Sequence, residues 1–393
     1  MKVEQIHTLM NKVTGEILGK TDIVAEDLSN VVDIGNEIFS NTEVDNYVKS
    51  LVNHIGKVIF VNRPYSGNIP SMLMDSWEFG SVVEKIQADL PTAYENKSWE
   101  LTDGQSYDPN VFYKPTVSAK FFNNKVTFEI PMSFTEKQVK DSFSSATQLN
   151  SFLSMLYNSV DNSMTIKIDS LVMRTINNMI GQTFHAEFPD VSDGNYNAVT
   201  GIKAVNLLKL YNDKFTKTLT AESCLTDSEF IKFASYTIGV YRDRLTKIST
   251  LFNVGKKERF TPKDRMNIVM LSDFFESSKT YLESDTYHND LVALPNAEIV
   301  PYWQGSGTDY SFAKVSDIHV NIENPSSRGT TIEMSISGIL AIMYDKDSMG
   351  VCNSDRRVTT NYNAKAEFYN NFYKFDASYF NDLNENFVVF FVA

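Results

Sequence analysis

The chain has 393 residues, 42% of them hydrophobic, which excludes disorder over any long span and allows two or three packed subdomains. Its formal net charge of -13 argues against nucleic-acid binding as the main task, because gripping phosphates calls for a basic face. The two cysteines, Cys224 and Cys352, exclude a disulfide framework and any CxxC zinc or redox pair, and they suit a reducing cytoplasm.

The opening stretch is charged throughout and has no apolar h-region, so no signal peptide is expected. Ile6, Leu9, Met10, Val13 and Ile17 follow a helical spacing that Gly19 stops. A second helix is expected behind Thr21 and Asp22, with Ile23, Val24, Leu28, Val31 and Ile34 on it. A third is expected behind Thr42, with Val44, Tyr47, Val48, Leu51 and Ile55 on it. Lys57 to Val61 reads as a strand. Residues 62–115 change texture: Pro64, Gly67, Pro70, Gly80, Pro91 and Gly104 break them into short runs, as in a long two-stranded excursion.

Val111 to Phe122 and Lys125 to Phe134 flank Asn123 and Asn124, which predicts a hairpin. Thr135 and Gln138 form a capping-box signature for a short helix. The strongest pattern follows. Apolar residues from Leu149 through Leu156, Met164 and Val172 to Ile180 recur every three or four positions, without Gly or Pro, and predict one long helix over about 144–180. Asp161, Asn162 and Ser163 mark a candidate kink.

From 190 to 300 strands alternate with helices: helices at Thr200–Tyr211, Asp227–Leu251 and Asp273–Leu282, and strands at Asn267–Leu271 and Ala297–Val300. Residues 305–330 are rich in Gly, Ser and Asn around Asp317–Ile322. The remainder is β-rich and aromatic, with strands expected at Ile336–Tyr344, Arg357–Tyr362, Ala366–Phe375 and Phe387–Val392. No apolar run approaches the ~18 residues of a membrane span.

Motifs of chemistry are sparse. His7, His54, His185, His288 and His319 have no zinc-like spacing. His288 lies near Glu283, Asp285 and Asp290, which is a solvated acidic loop before it is a metal or acid–base site. Gly305 and Gly307 read as a flexible loop and not as a phosphate cradle. The cysteines read as buried small hydrophobes. Asp345, Asp347, Arg356 and Arg357 suggest a salt-bridge cluster at a turn or between subunits.

The order of these features resembles that of the major capsid proteins of tailed bacteriophages, with the Hong Kong 97 type of fold. The texture is most similar to that of small podophages of Gram-positive hosts. The resemblance implies an α+β chain with an N-arm, an extended β loop, a long spine helix, and axial and peripheral domains. Residues 1–61 would be the N-terminal arm and helices, and 62–115 the extended loop. Residues 116–189 would hold the peripheral-domain hairpin and spine helix, 190–335 the axial domain with a small insertion, and 336–393 the peripheral β return.

It also implies a non-enzymatic subunit, with no cofactor and no membrane contact, that assembles as hexamers and pentamers into an icosahedral shell around double-stranded DNA. Scaffolding and portal proteins would be further partners, the DNA would be touched weakly or locally, and assembly would take place in the host bacterial cytoplasm. Trp77, Phe79, Val82 and Trp99 are the expected intersubunit contacts, since a two-stranded loop does not bury large apolar groups by itself. The loop and the N-arm are expected to lie across neighbours. An encapsulin-type nanocompartment is the alternative, distinguished by enzyme cargo. A tail or connector protein would form rings or tubes, and an acidic-site hydrolase would be a small oligomer with a convergent pocket.

Overall fold

In the computed structural model the described residues are 3–19, 24–41, 46–47, 50–51, 69–74, 83–88, 90–91, 93, 95–96, 99–108, 110–114, 116–191, 195–283, 297–304, 311–325, 327 and 329–393. The elements run in chain order as α1 (Val3–Leu18), α2 (Val31–Asn41), β1 (Leu73–Met74), β2 (Val83–Ala88), β3 (Val117–Phe122), β4 (Lys125–Thr135), α3 (Glu136–Ser142) and α4 (Ala146–Glu187). Next come β5 (Ala204–Asn206), α5 (Leu207–Phe215), α6 (Ser228–Leu245), β6 (Met266–Leu271), α7 (Ser272–Glu283), β7 (Ala297–Val300) and α8 (Phe312–Val315). The chain ends with β8 (Ile318–Glu323), β9 (Thr331–Ile336), β10 (Ile339–Asp345), β11 (Met349–Asn363), β12 (Phe368–Asn381) and β13 (Phe387–Phe391). The architecture is α+β, in two compact units. One comprises Met1–Phe79, Lys125–Ile176 and Gly350–Tyr379, and the other Gly80–Asn124, Asn177–Met349 and Phe380–Ala393.

In the first unit a four-stranded sheet runs β1-β11-β12-β4. β4 and β12 pair antiparallel from Lys125 opposite Ser378 to Thr135 opposite Phe368, and burial alternates along β12 as the period-2 pleat requires. Phe134 on this sheet meets Phe152 of α4 edge-on at 5.6 Å. Thr135 closes the expected capping box: its hydroxyl accepts from the Gln138 N–H at 3.2 Å, and the Gln138 amide oxygen accepts from the Thr135 N–H at 2.8 Å.

The N-terminal helix buries Ile6, Leu9, Met10 and Val13 inside this unit. Tyr47 seals it, with its hydroxyl on the Met10 sulfur at 3.6 Å and its ring against Phe143 at 5.5 Å. Gly35 lets α2 approach Phe143, because a Cβ there would lie 2.8 Å from the Phe143 Cβ. The second helix begins at Val31, later than the apolar spacing suggests. Leu28 sits at φ +58 in a turn, so Val24 and Leu28 are buried as loop residues. Most of the expected third helix and the 57–61 strand lie outside the described residues, although Tyr47 and Leu51 are helical.

Helix α4 spans 42 residues without a break, about 63 Å at 1.5 Å per residue. Its apolar face explains the continuity. Leu149, Leu153, Leu156, Val160, Met164 and Ile168 form a single buried stripe, one residue per turn. The helix runs unbroken through Asp161–Ser163, where the Thr165 hydroxyl donates back to the Asp161 carbonyl at 2.9 Å.

In the second unit a five-stranded sheet runs β5-β13-β10-β6-β7. Every residue of β10 and β13 is buried, because the sheet is covered on both faces. Met270, Ala341, Met343, Val388 and Phe390 pack with α5, α6 and α7 in one cluster. On the other face Phe391 meets Phe184, in the last turns of α4, at 4.8 Å. The β8–β9 ribbon packs on the same helix at Gly181, where a Cβ would lie 2.8 Å from Val320 and from Ile322.

Three further expectations change. Asn123 and Asn124 do not close a hairpin: β3 pairs with β2, and β4 pairs with β12. The apolar run at 204–206 is a strand and the helix starts only at Leu207, because Val205 and Asn206 pair with β13 while the Asn206 side chain caps the helix at the Lys209 N–H, 3.0 Å away. The strand expected over Ile336–Tyr344 is two strands parted by Gly338 at φ +74.

Candidate assembly surface

The excursion in the second unit begins as the β2–β3 ribbon. Its register places Lys85 opposite Lys120, and opposite residues share a face. Two facing lysines repel unless an anion lies between them. Here the Asp382 carboxylate does, with one oxygen 2.9 Å from the Lys85 Nζ and the other 3.0 Å from the Lys120 Nζ. Lys85 also meets Glu385 at 2.7 Å and donates to the Asp347 carbonyl at 3.3 Å. Arg259 closes the group on Glu385 at 3.4 Å.

The Asp382 side chain is wholly buried, so these charges interact with little screening by water. Burial alone pushes its carboxyl up, but the hydrogen bond and charge of Lys85, then the charge of Lys120, outweigh burial and hold it below the ordinary range. Burial likewise favours a neutral Lys85, and the hydrogen bonds to Glu385 and Asp382 reverse that and raise it. Beside the charges, Phe122 packs on Phe380 at 5.3 Å.

The opposite face of the ribbon is apolar and open. Ile86, Val117 and Phe121 are each more than half exposed. Beyond the ribbon every described residue from 90 to 114 is exposed. Trp99 is 95% exposed, Phe112 83% and Tyr113 80%. Local structure there is limited to turns, such as Gly104 at φ +80 and the Gln105 N–H on the Thr102 carbonyl at 3.3 Å. Of the four expected contact residues, Trp99 lies on this surface, and Trp77, Phe79 and Val82 lie outside the described residues. The ion cluster escaped sequence reading because its members come from distant parts of the chain, Lys120 and Asp382 being 262 positions apart and Lys85 and Glu385 300.

Among the described residues no group of three His, Cys, Asp or Glu could hold a metal ion. His7 is engaged by the Val24 carbonyl and the Asn11 amide, both at 3.0 Å. His288, Asp285 and Asp290 lie outside the described residues, as do the Glu283 side chain and residues 305–310. Burial pushes the Cys224 thiol up to about 12, which leaves it protonated and unreactive at neutral pH. Asp345 and Asp347 do pair with an arginine, but it is Arg265, and Arg357 instead pairs with Asp376 at 3.1 Å. The Arg356 side chain lies outside the described residues.

A family model of Phi29-like phage major capsid proteins matches residues 7–391. The chain belongs to that family. Its fold agrees with solved phage structures. A chain in the capsid structure of Staphylococcus phage Andhra superposes with a TM-score of 0.50 at 10% identity, over 84% of this chain and 86% of that one. A chain in the structure of the head fiber and inner core protein of native bacteriophage P68 gives 0.51 at 8% identity, over 83% and 85%. No curated protein sequence matches the chain. It is thus a phage major capsid protein with the Hong Kong 97 type of fold, and its place is the virion capsid. No helix among the described residues is long and apolar enough to cross a membrane.

Proposed function

We propose that this capsid protein assembles as hexamers and pentamers into an icosahedral shell around double-stranded DNA, in the host cytoplasm, with scaffolding and portal proteins as partners. Its role in this reading is structural and not enzymatic. Residues 62–115 act as the extended loop, 144–180 as the spine of the subunit and 190–335 as the axial domain. Trp99 contacts a neighbouring subunit, together with Trp77, Phe79 and Val82.

One observation carries this reading: the large apolar side chains on 86–121, topped by Trp99 at 95% exposure, which nothing among the described residues covers. Water-exposed apolar area of this kind marks an interaction surface. In the test, Trp99→Ala, Phe112→Ala and Tyr113→Ala are combined and the product is imaged by negative-stain electron microscopy. The variant keeps its circular dichroism spectrum and thermal transition, since these groups contribute no internal packing, but forms no closed shells. Normal shells at normal yield would refute the proposal.

A further inference from the structure

The net charge of -13 conceals a segregated segment. Residues 242–265 carry eight Lys or Arg side chains against Asp243, Glu258 and Asp264, in a chain with 36 basic and 49 acidic residues overall. The segment runs from the last turn of α6 through a loop to the start of β6. Ser249 and Arg259 exchange backbone hydrogen bonds at 2.9 and 3.0 Å, so the two limbs of the loop lie side by side and their charges share one surface.

Part of this charge is neutralised locally. Asp243 holds Lys263 at 3.0 Å and Arg242 at 3.5 Å, and Glu385 holds Arg259. Arg244, Lys247 and Lys256 remain exposed on the surface. Among them stand Ile248, Leu251 and Phe260, exposed by 53%, 52% and 52%. Duplex phosphates would satisfy the lysines but not three half-exposed apolar groups, whose burial requires an apolar counterpart.

The chain contains a surface of matching composition. Residues 90–114 carry Glu95, Glu100, Asp103 and Asp108 against Lys97 and Lys114, interleaved with Trp99, Phe112 and Tyr113. The excursion leaves the body of its own subunit beside the basic loop, since Leu90 lines one open cavity with Lys256, Lys257 and Arg259. It does not fold back there, because Trp99, Phe112 and Tyr113 stay exposed. In a ring of identical copies a head-to-tail contact joins two different patches of the same chain, which is what opposite charges on two patches require.

We infer that the basic and apolar surface of residues 242–265 receives residues 90–114 of a second copy of this chain. The inference rests on the shell reading above and names the receiving surface.

The test uses shells grown from a mixture of isotopically heavy and light chains. A carbodiimide joins lysines directly to carboxylates at ion-pair distance. The expected products are heavy–light links from Lys247 or Lys256 to Glu95, Glu100, Asp103 or Asp108. Links from these lysines only to other carboxylates, or only within one copy, overturn the inference. So does a Lys247 and Lys256 reactivity that appears only when DNA is released, which would assign the surface to phosphate.

A second arm measures shell yield. Lys247→Glu with Lys256→Glu lowers it roughly tenfold or more without unfolding the subunit, and adding Glu100→Lys with Asp103→Lys restores most of it. A folded combined variant that stays defective overturns the pairing. If the unaltered chain forms no shells, the shell reading itself fails and the inference falls with it.

Discussion

Replacing Lys85 by Met removes the ammonium and keeps the apolar stem. Asp382 then loses its 2.9 Å partner and Glu385 its 2.7 Å partner. A fully orphaned buried charge costs about 3–5 kcal/mol. The remaining partners soften this, because Asp382 keeps Lys120 and the Asn384 N–H at 3.1 Å, and Glu385 keeps Arg259. The Lys85 side chain is 21% exposed, so screening by solvent is modest. An effect of about 2–3 kcal/mol follows. It falls on the ribbon and not on the whole chain, so the assay is native-state hydrogen exchange of the β2 and β3 amides.

These amides should exchange about 30- to 150-fold faster, at 1.4 kcal/mol per factor of ten. Lys120→Met removes one bond from a side chain that is 39% exposed, and after the discount for solvent it should cost no more than about 1 kcal/mol. Lys85→Met made on top of Asp382→Asn should add less than it costs alone, because the pair is coupled. If Lys85→Met leaves ribbon exchange within about threefold of the unaltered chain, or if Lys120→Met costs as much, the ion cluster does not hold the ribbon.

The same cluster sets a pH window. The Asp382 carboxyl is depressed below its ordinary 3.8, so its contribution is complete above that value and disappears only as pH falls through the depressed one. Lys85 is raised above 10.5, so its contribution is complete below that value and is lost at higher pH. Ribbon protection, corrected for intrinsic exchange rates, should therefore be flat across the neutral range. Gly338→Ala should destabilise the second unit by about 3 kcal/mol in chemical denaturation, because Gly338 sits at φ +74 with the Val392 carbonyl where a Cβ would go. Gly104→Ala, at φ +80 with nothing nearby, should cost only about 1 kcal/mol. Cys224, with its thiol pushed up to about 12 by burial, should resist iodoacetamide at pH 8 in the native chain and react on unfolding, as mass spectrometry would show.

Local periodicity made much of this fold legible. The α4 stripe, the capping box at Thr135 and the apolar Ile268–Leu271 run of β6 are each written within a few turns or residues of sequence. Pairing over distance was not. Asn123 and Asn124 satisfy the rules of a hairpin turn, yet β3 turns back to β2 and β4 pairs with a strand more than 200 residues later, because a local turn signal says nothing of better partners elsewhere. Val205 and Asn206 look helical beside Leu207 and Leu208 until β13 is present to pair with them. The surface was legible in part. Trp99 stands out by size in a segment rich in breakers, whereas the ion cluster joins β2, β3 and the turn after β12. The basic segment at 242–265 is visible in a windowed charge count and invisible in the total of -13.

An ionic anchor has a consequence that an apolar anchor of equal strength would lack. Well-packed hydrophobic groups often stabilise as much as a buried ion pair or more, so stability alone does not account for Lys85 and Asp382. Register does. Slipping β2 by one residue would bring Glu84 or Ile86 to the Asp382 carboxylate, one repelled by it and the other unable to satisfy it. The same slip would turn Ile86 inward and Lys85 outward, while Lys120 on β3 keeps its face. The ion cluster thus discriminates between the two faces of the ribbon, where apolar packing would accept either. By fixing which face meets the subunit's own body, it also fixes which face is left for a neighbour, before any neighbour is present.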